Sequence, residues 1–174
     1  MEIDEAIRNR RSIRSYQAKP VEAAKLERIL EAARWAPSAG NLQSVEYIVV
    51  KSLGTRKLLS EAALGQEQIT EAPVSIVVCC NFSKISHYGQ RGKELYSLQE
   101  SGACVQNLML EAHALGLGTC WIGAFEESKV REILNIRDSA RPVAIITLGY
   151  PAEKPRSGRQ DAKNSVFMEG YGKK

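Results

Sequence analysis

Ile3, Ala6 and Ile7 fall at helical spacing near the start of the chain, and from Glu22 onward Leu26, Ile29, Leu30 and Ala33 repeat that spacing on one stripe. Both segments read as amphipathic helices. The second is expected to end near Trp35-Ala36, because Pro37 disfavours the α conformation before it and Pro37-Ser38-Ala39-Gly40-Asn41 is turn chemistry. Val45 to Val50 is β-branched and aromatic, whereas Val74 to Cys80 is almost wholly apolar, as a strand in the middle of a sheet must be. A short helix over Thr55 to Leu64 separates these two strands. From about Lys93 to Leu115, the residues Leu95, Leu98, Gly102, Val105, Met109 and Ala112 alternate steps of three and four, which predicts one long helix of roughly six turns. Gly116 and Gly118 close it. Thr119 to Ile122 then reads as a third strand, Lys129 to Leu134 as a helix with Val130, Ile133 and Leu134 inward, and Pro142 to Leu148 as a fourth strand. After Gly149-Tyr150-Pro151 the periodicity stops, and a tail with Arg156, Arg159, Lys163, Lys173 and Lys174 either wraps a partner or hangs loose.

The length of 174 residues suits one domain over 1–174 with a sizeable core, and neither an internal repeat nor an interdomain linker interrupts it. Apolar residues make up 44% and charged residues 25% of the chain, which excludes a disordered protein. No apolar run approaches the roughly 20 residues that span a bilayer, and the opening Met1-Glu2-Ile3-Asp4-Glu5 is acidic where a signal peptide is basic. A cytoplasmic protein without a membrane partner is expected. Cys79, Cys80, Cys104 and Cys120 sit in apolar stretches with no CxxC spacing, so they read as buried free thiols, with no metal site. The net charge of +4 is mild, yet the seven residues from Arg8 to Arg14 hold four arginines and no acid. That concentration suits a single anionic ligand, since a nucleic-acid face needs a broader stripe with interleaved aromatics.

Several familiar motifs fail on context. Gly116-Leu117-Gly118 closes a helix and opens a strand, the reverse of a dinucleotide fingerprint. Gly89-Gln90-Arg91-Gly92-Lys93 has two residues between its glycines where a phosphate loop has four. His87 and His113 are the only histidines, and Ser38 lacks the glycine of a nucleophile elbow, which leaves little material for a hydrolase. Three stretches remain. Arg10-Arg11-Ser12-Ile13-Arg14 offers guanidinium forks and a hydroxyl to a phosphate, although alone it also fits a solvated basic helix end. Pro37-Ser38-Ala39-Gly40-Asn41-Leu42-Gln43 joins small residues, past which a planar ring can approach backbone, to the amides of Asn41 and Gln43, which can pair with a heteroaromatic edge. The third runs from Gln106-Asn107 in the long helix to Thr119-Cys120-Trp121-Ile122-Gly123.

With RRSIRSY, APSAGNLQ, QNLMLEAHALGLGTCWIG and ITLGYPAEKPR in this order, the sequence resembles the FMN-binding nitroreductase family from Met1 to about Arg159. The resemblance implies an α+β fold, a central mostly antiparallel sheet flanked by helices, in a domain-swapped homodimer with FMN at the interface. It implies that Arg10, Arg11, Ser12 and Arg14 meet the phosphate, ribityl chain and pyrimidine edge, and that Pro37, Ser38, Ala39 and Asn41 come from the second subunit with Gln43 beside them. Trp121, Ile122 and Gly123 would lie near the dimethylbenzene or N5 side. Arg156 or Arg159 would close on the phosphate. The implied activity is ping-pong hydride transfer through flavin N5 from NADH or NADPH to small-molecule acceptors such as nitroaromatics or quinones, the alternative being a flavin-binding module without reductase activity. Three departures stand out. Gln43-Ser44-Val45-Glu46 replaces a common proline and tryptophan after the glutamine. Glu100-Ser101-Gly102 shifts or substitutes an acid common before the long-helix glycine. Short spans over Gln66 to Thr70 and Lys84 to Gly92 leave little room for a covering helical excursion, so an open flavin is expected.

Overall fold

The computed structural model describes residues 2–161, 163 and 165–173; Met1 and Lys174 of the sequence reading lie outside them. Helix α1 spans Ile3–Asn9 and α2 spans Ala23–Arg34, ending before Pro37 as the turn chemistry requires. Strand β1 (Val45–Val50) is followed by α3 (Leu53–Ala62) and a single helical turn, α4 (Gln68–Glu71). Strand β2 (Val74–Asn81) has all eight residues buried, consistent with its unbroken apolar run. A short helix α5 (Gly89–Arg91) passes through a π-helical turn over Gly92–Tyr96 into α6 (Ser97–Ala114). Strand β3 (Gly118–Ile122), helix α7 (Glu127–Leu134) and strand β4 (Ala140–Gly149) complete the order.

The sheet runs β1-β2-β4-β3 with every strand pair antiparallel, giving the α+β class expected. Alternation along the strands sends side chains to two separate cores. On one face Val74, Ile76, Val78, Ala144, Ile146 and Leu148 pack with Leu26, Ile29 and Ala33 of α2 and Val105, Leu108 and Ala112 of α6. On the other, Val77, Cys79 and Ile145 meet Leu59 and Ala62 of α3 and Val130 of α7. All four cysteines are buried free thiols, and burial pushes Cys80 up to about 11 and Cys79 to about 12. They are packing groups, with no nucleophilic thiolate character.

The long helix differs from its periodicity in one respect. Its buried ridge is Ser97, Glu100, Ser101, Cys104, Val105, Leu108, Met109 and Ala112, while Leu98 is exposed. Polar residues therefore enter the interior near the N-terminal end, where they have partners to satisfy. The span before it, Ser86 to Tyr96, is a chain of short helical turns, so the little room expected over Lys84 to Gly92 holds only a compact excursion. Ile3 and Ile7 of α1 face outward, leaving only Ala6 of that helix buried.

Gly116, at φ +77°, closes α6 by accepting the left-handed turn, with Leu117 N–H donating to the Ala112 carbonyl at 2.8 Å. Gly118 does a different job. It pairs with Gly149 across β3 and β4, and a Cβ on it would lie 2.6–3.0 Å from Ile13 side-chain atoms. A Cβ on Gly149 would meet Pro73 Cδ at 2.6 Å and Tyr16 Cδ1 at 2.9 Å. This glycine pair makes the flat floor on which residues 12–16 lie. Gly118→Ala is expected to destabilise the protein by about 1–3 kcal/mol through overpacking. Adding Ile13→Ala should recover part of that loss, read as a coupling energy in urea unfolding; simple additivity would show that the floor is not what Ile13 rests on.

Candidate functional site

Residues 10–16 run along the free edge of β3. Ser12 bridges Thr119 in parallel, Ile13 N–H donates to the Thr119 carbonyl at 2.9 Å, and Tyr16 bridges Pro151. Buried Tyr16 ties the segment down: its hydroxyl is 2.6 Å from both the Ile13 carbonyl and Thr147 Oγ1. Burial raises its pKa, so it stays a phenol that can donate. Two acids complete the anchoring. Glu153 accepts the backbone N–H groups of Arg14 and Ser15, and Glu71 accepts that of Tyr16 at 3.2 Å.

These acids bind backbone, so the guanidiniums are left over. Arg11 Nη1 donates to the carbonyls of Arg8 and Arg10 at 2.6 and 2.9 Å, and Arg159 to the Gly158 carbonyl at 3.0 Å. Among the described residues no carboxylate forms an ion pair with Arg10, Arg11, Arg14, Arg156 or Arg159, whereas Arg8 is paired with Asp4 at 2.8 Å. Burial, then the charge of Arg159, then that of Arg11 lowers the Arg10 pKa, so Arg10 lies in a positive field that an anion would relieve. Arg156 and Arg159 line two grooves that share Arg11, of about 440 and 320 Å³. A third cavity, of about 340 Å³, is lined in part by Arg10, Arg11, His113 and Lys154. His113 Nε2 is buried there without a partner, and its pKa is lowered by burial and then by Arg10 and Arg11.

The second stretch forms a 3-10 turn, Ala39–Asn41, in which Gly40 and Asn41 have φ of 56° and 55°, and Gln43 just after it has φ of 50°. Ser38 Oγ accepts from Gln43 N–H at 3.1 Å, and Gln43 Nε2 donates to the Asn41 carbonyl and Oδ1 at 3.2 and 3.3 Å. The two amides thus brace each other. Pro37, Asn41 and Gln43 are exposed, with Ser38 and Ala39 half-buried. Gly40 sits under the helical excursion, since a Cβ there would lie 2.7 Å from the Tyr88 hydroxyl. At the end of β3, Trp121 is 41% exposed, Ile122 is core, and a Cβ on Gly123 would meet nothing within 4 Å.

Within one chain the arginine segment and the 37–43 loop are not brought together: among the described residues no hydrogen bond or cavity joins them. Tyr16, Glu71, Glu153 and His113 were missed by sequence reasoning. Tyr16, His113 and Glu153 lay inside the stretches RRSIRSY, QNLMLEAHALGLGTCWIG and ITLGYPAEKPR, whereas Glu71 lay in none of them.

The structure thus combines a three-layer α+β fold with an arginine segment that has no carboxylate partner on a sheet edge, a glycine turn with braced amides and an open strand end. Residues 7–73 and 55–150 match the model of the nitroreductase family. The chain belongs to the nitroreductase family. It is 34% identical over 173 residues to an NADH dehydrogenase of Thermus thermophilus, spanning 83% of this chain and 84% of that protein. It is 30% identical over 167 residues to an FMN reductase [NAD(P)H] of Bacillus subtilis, spanning 88% of this chain and 67% of that protein. Among solved structures, the NADPH:FMN oxidoreductase of Vibrio harveyi complexed with NAD+ superposes with a TM-score of 0.91 at 26% identity, covering 97% of this chain and 77% of that one.

Removing the Glu153 carboxylate by Glu153→Ala orphans two amides and is expected to cost about 1.5–3 kcal/mol in urea unfolding. Amide exchange at Arg14 and Ser15 should rise with it, while Glu153→Gln, which keeps an acceptor oxygen, should lose less. Unchanged exchange at those two amides would show that the edge pairing alone holds the segment.

Proposed function

We propose that this protein is an NAD(P)H-dependent FMN oxidoreductase that reduces small acceptors such as quinones or nitroaromatics and works as a homodimer with FMN at the interface. The observation that carries the reading is the anchored cluster of Arg10, Arg11 and Arg159, which has no carboxylate partner among the described residues. The names of the family and of the FMN reductase and NADPH:FMN oxidoreductase relatives support the cofactor and donor.

The residues fit FMN. Unpaired guanidiniums match a phosphate dianion by charge-assisted hydrogen bonds, and Arg159, whose charge acts on Arg10, is the tail arginine best placed to join them. The open flank of Gly123 and the small residues Ser38 and Ala39 leave room for a planar ring to approach backbone. When bound, FMN supplies the redox chemistry, passing two electrons from nicotinamide donor to acceptor. The protein binds, orients and supplies electrostatics. Arg14, whose backbone is fixed by Glu153, would offer its cation to the ring's pyrimidine edge, and N–H groups at the end of β3 would serve as donors to the same ring. No described helix is long and apolar enough to cross a membrane.

Exposed Ile3 and Ile7 on α1, Trp35 after α2 and Leu98 on α6 supply apolar surface for a second copy to cover. Separation of the arginine segment from the 37–43 loop within one chain is accounted for if each site takes one stretch from each subunit. Light scattering is expected to give a dimer, with FMN raising the thermal midpoint and tightening the dimer together. A monomer that still holds FMN tightly would end the split-site reading.

Bound flavin should bleach with NADH or NADPH and recolour on addition of a quinone or nitroarene; failure to bleach with either donor would leave a binding module without reductase activity. Arg10→Ala should weaken FMN by about 2 kcal/mol, roughly thirtyfold, with little change for riboflavin, which lacks the phosphate. Arg8→Ala should be nearly neutral because its pairing with Asp4 is exposed. Equal small losses at both arginines for both ligands would point to a diffuse positive field.

A further inference from the structure

The turn that lines the proposed ring site is an expensive one. Asn41 and Gln43, like Gly40, sit in the left-handed region, which non-glycine residues keep only where the surroundings enforce it. Behind the turn lies no filled core but a chamber of about 260 Å³, lined by Arg34, Gln43, Tyr47, Lys84, Glu100 and Cys104 among others. Beyond its internal Ser38–Gln43 and Gln43–Asn41 bonds, the turn therefore depends on what holds its ends.

Both ends are fastened to α6. At the entry, Asn107 Nδ2 donates to the Ala32 carbonyl at 3.2 Å, fixing the last turn of α2. At the exit, Ser44 is fully enclosed and Glu100 is 4% exposed. The Ser44 hydroxyl donates to Glu100 Oε2 at 2.7 Å, the Val45 N–H donates to Oε1 at 3.1 Å, and the Ser44 carbonyl accepts from Asn81 N–H at 2.8 Å. Glu100 and Asn107 stand seven residues, about 10 Å, apart on the helix. Of the chamber's cations, Arg34 pairs with Glu31 at 2.6 Å, whereas Lys84 pairs with Glu46 at 3.3 Å and also donates to the Gln43 carbonyl at 3.4 Å, so neither neutralises Glu100. Glu100 thus spends both carboxylate oxygens on the first two residues after the turn.

We propose that Glu100 is a positioning residue, whose buried carboxylate, through Ser44 and Val45, sets how the Pro37–Gln43 turn is presented to the isoalloxazine ring. The inference rests on the flavin site proposed above. It assigns a task to two of the three departures in the sequence: a serine hydroxyl after Gln43 and a glutamate on the helix are the two halves of one latch. Replacing Glu100 with glutamine leaves the volume unchanged but removes the charge: the Val45 amide can keep an oxygen acceptor, while the Ser44 hydroxyl must turn to accept from the new NH2, so two charge-assisted bonds become weaker neutral ones.

The experiment uses the full chain. In flavin-free protein, hydrogen exchange is followed residue by residue for wild type, Glu100→Gln and Ser44→Ala, and FMN and riboflavin are then titrated into each. In both variants the amides of Asn41 to Val45 should exchange about tenfold faster or more, with those of Leu108 to Ala112 unchanged. FMN and riboflavin affinities should fall by one common factor of about ten, because the turn touches the ring they share. This pattern separates the latch from the arginine cluster, whose loss spares riboflavin. Unaltered exchange at residues 41–45, an increase spread over the whole sheet, or a loss confined to FMN would overturn the proposal. Ser44→Ala keeps the buried charge, so it decides the matter if Glu100→Gln fails to fold. A wild type that binds neither flavin would remove the underlying site, while exchange would still report whether the turn depends on Glu100.

Discussion

The close approach of residues 12–16 to the glycine pair Gly118 and Gly149 is the constraint on which the remainder of the proposed site depends. Backbone can lie against the ends of β3 and β4 only where side chains are missing, and the space is taken up by Ile13 and Tyr16. Once Tyr16 is buried and bonded to Thr147, the arginines that precede it have a fixed origin. Long cationic side chains are costly to order, so an anchored backbone reduces what a ligand must immobilise.

Acid placement follows the same logic. Glu71 and Glu153 stand close to the arginine segment yet accept backbone N–H groups, which satisfies the peptide without neutralising the guanidiniums. Elsewhere on the surface the usual pairing holds, as with Arg137 and Glu46 or Arg141 and Glu127. The contrast separates the cations of the proposed phosphate site, which have no carboxylate partner among the described residues, from those that close the protein's own surface. Arg10 is the most constrained of the first group, since burial and two neighbouring guanidiniums all disfavour its charge.

Helix α6 links the two halves of the molecule. Its central residues Val105 and Leu108 belong to the core shared with α2 and the sheet, and its polar N-terminal residues reach the turn before β1. Packing and positioning thus use one rigid element, and the turn inherits that rigidity despite its left-handed residues.

Much of this was readable from the chain. The period-two and period-3.6 patterns placed four strands and the main helices to within a few residues, because each element buries a continuous face and that face must be written into the sequence. Pro37, Gly116 and the arginine run were legible because their effects are local. Four quantities depended on tertiary structure. Gly118 looked like a helix terminator and is a floor for Ile13; Leu98 looked like core and faces out; the span over Lys84 to Gly92 looked to leave little room and holds short helical turns; Glu100 looked displaced and is bonded to Ser44. Each is fixed by a residue more than ten positions away or by the rotation of a whole helix. A one-dimensional pattern records which side chains are apolar or charged, but the identity of a distant partner is set only when the sheet brings the strand ends together.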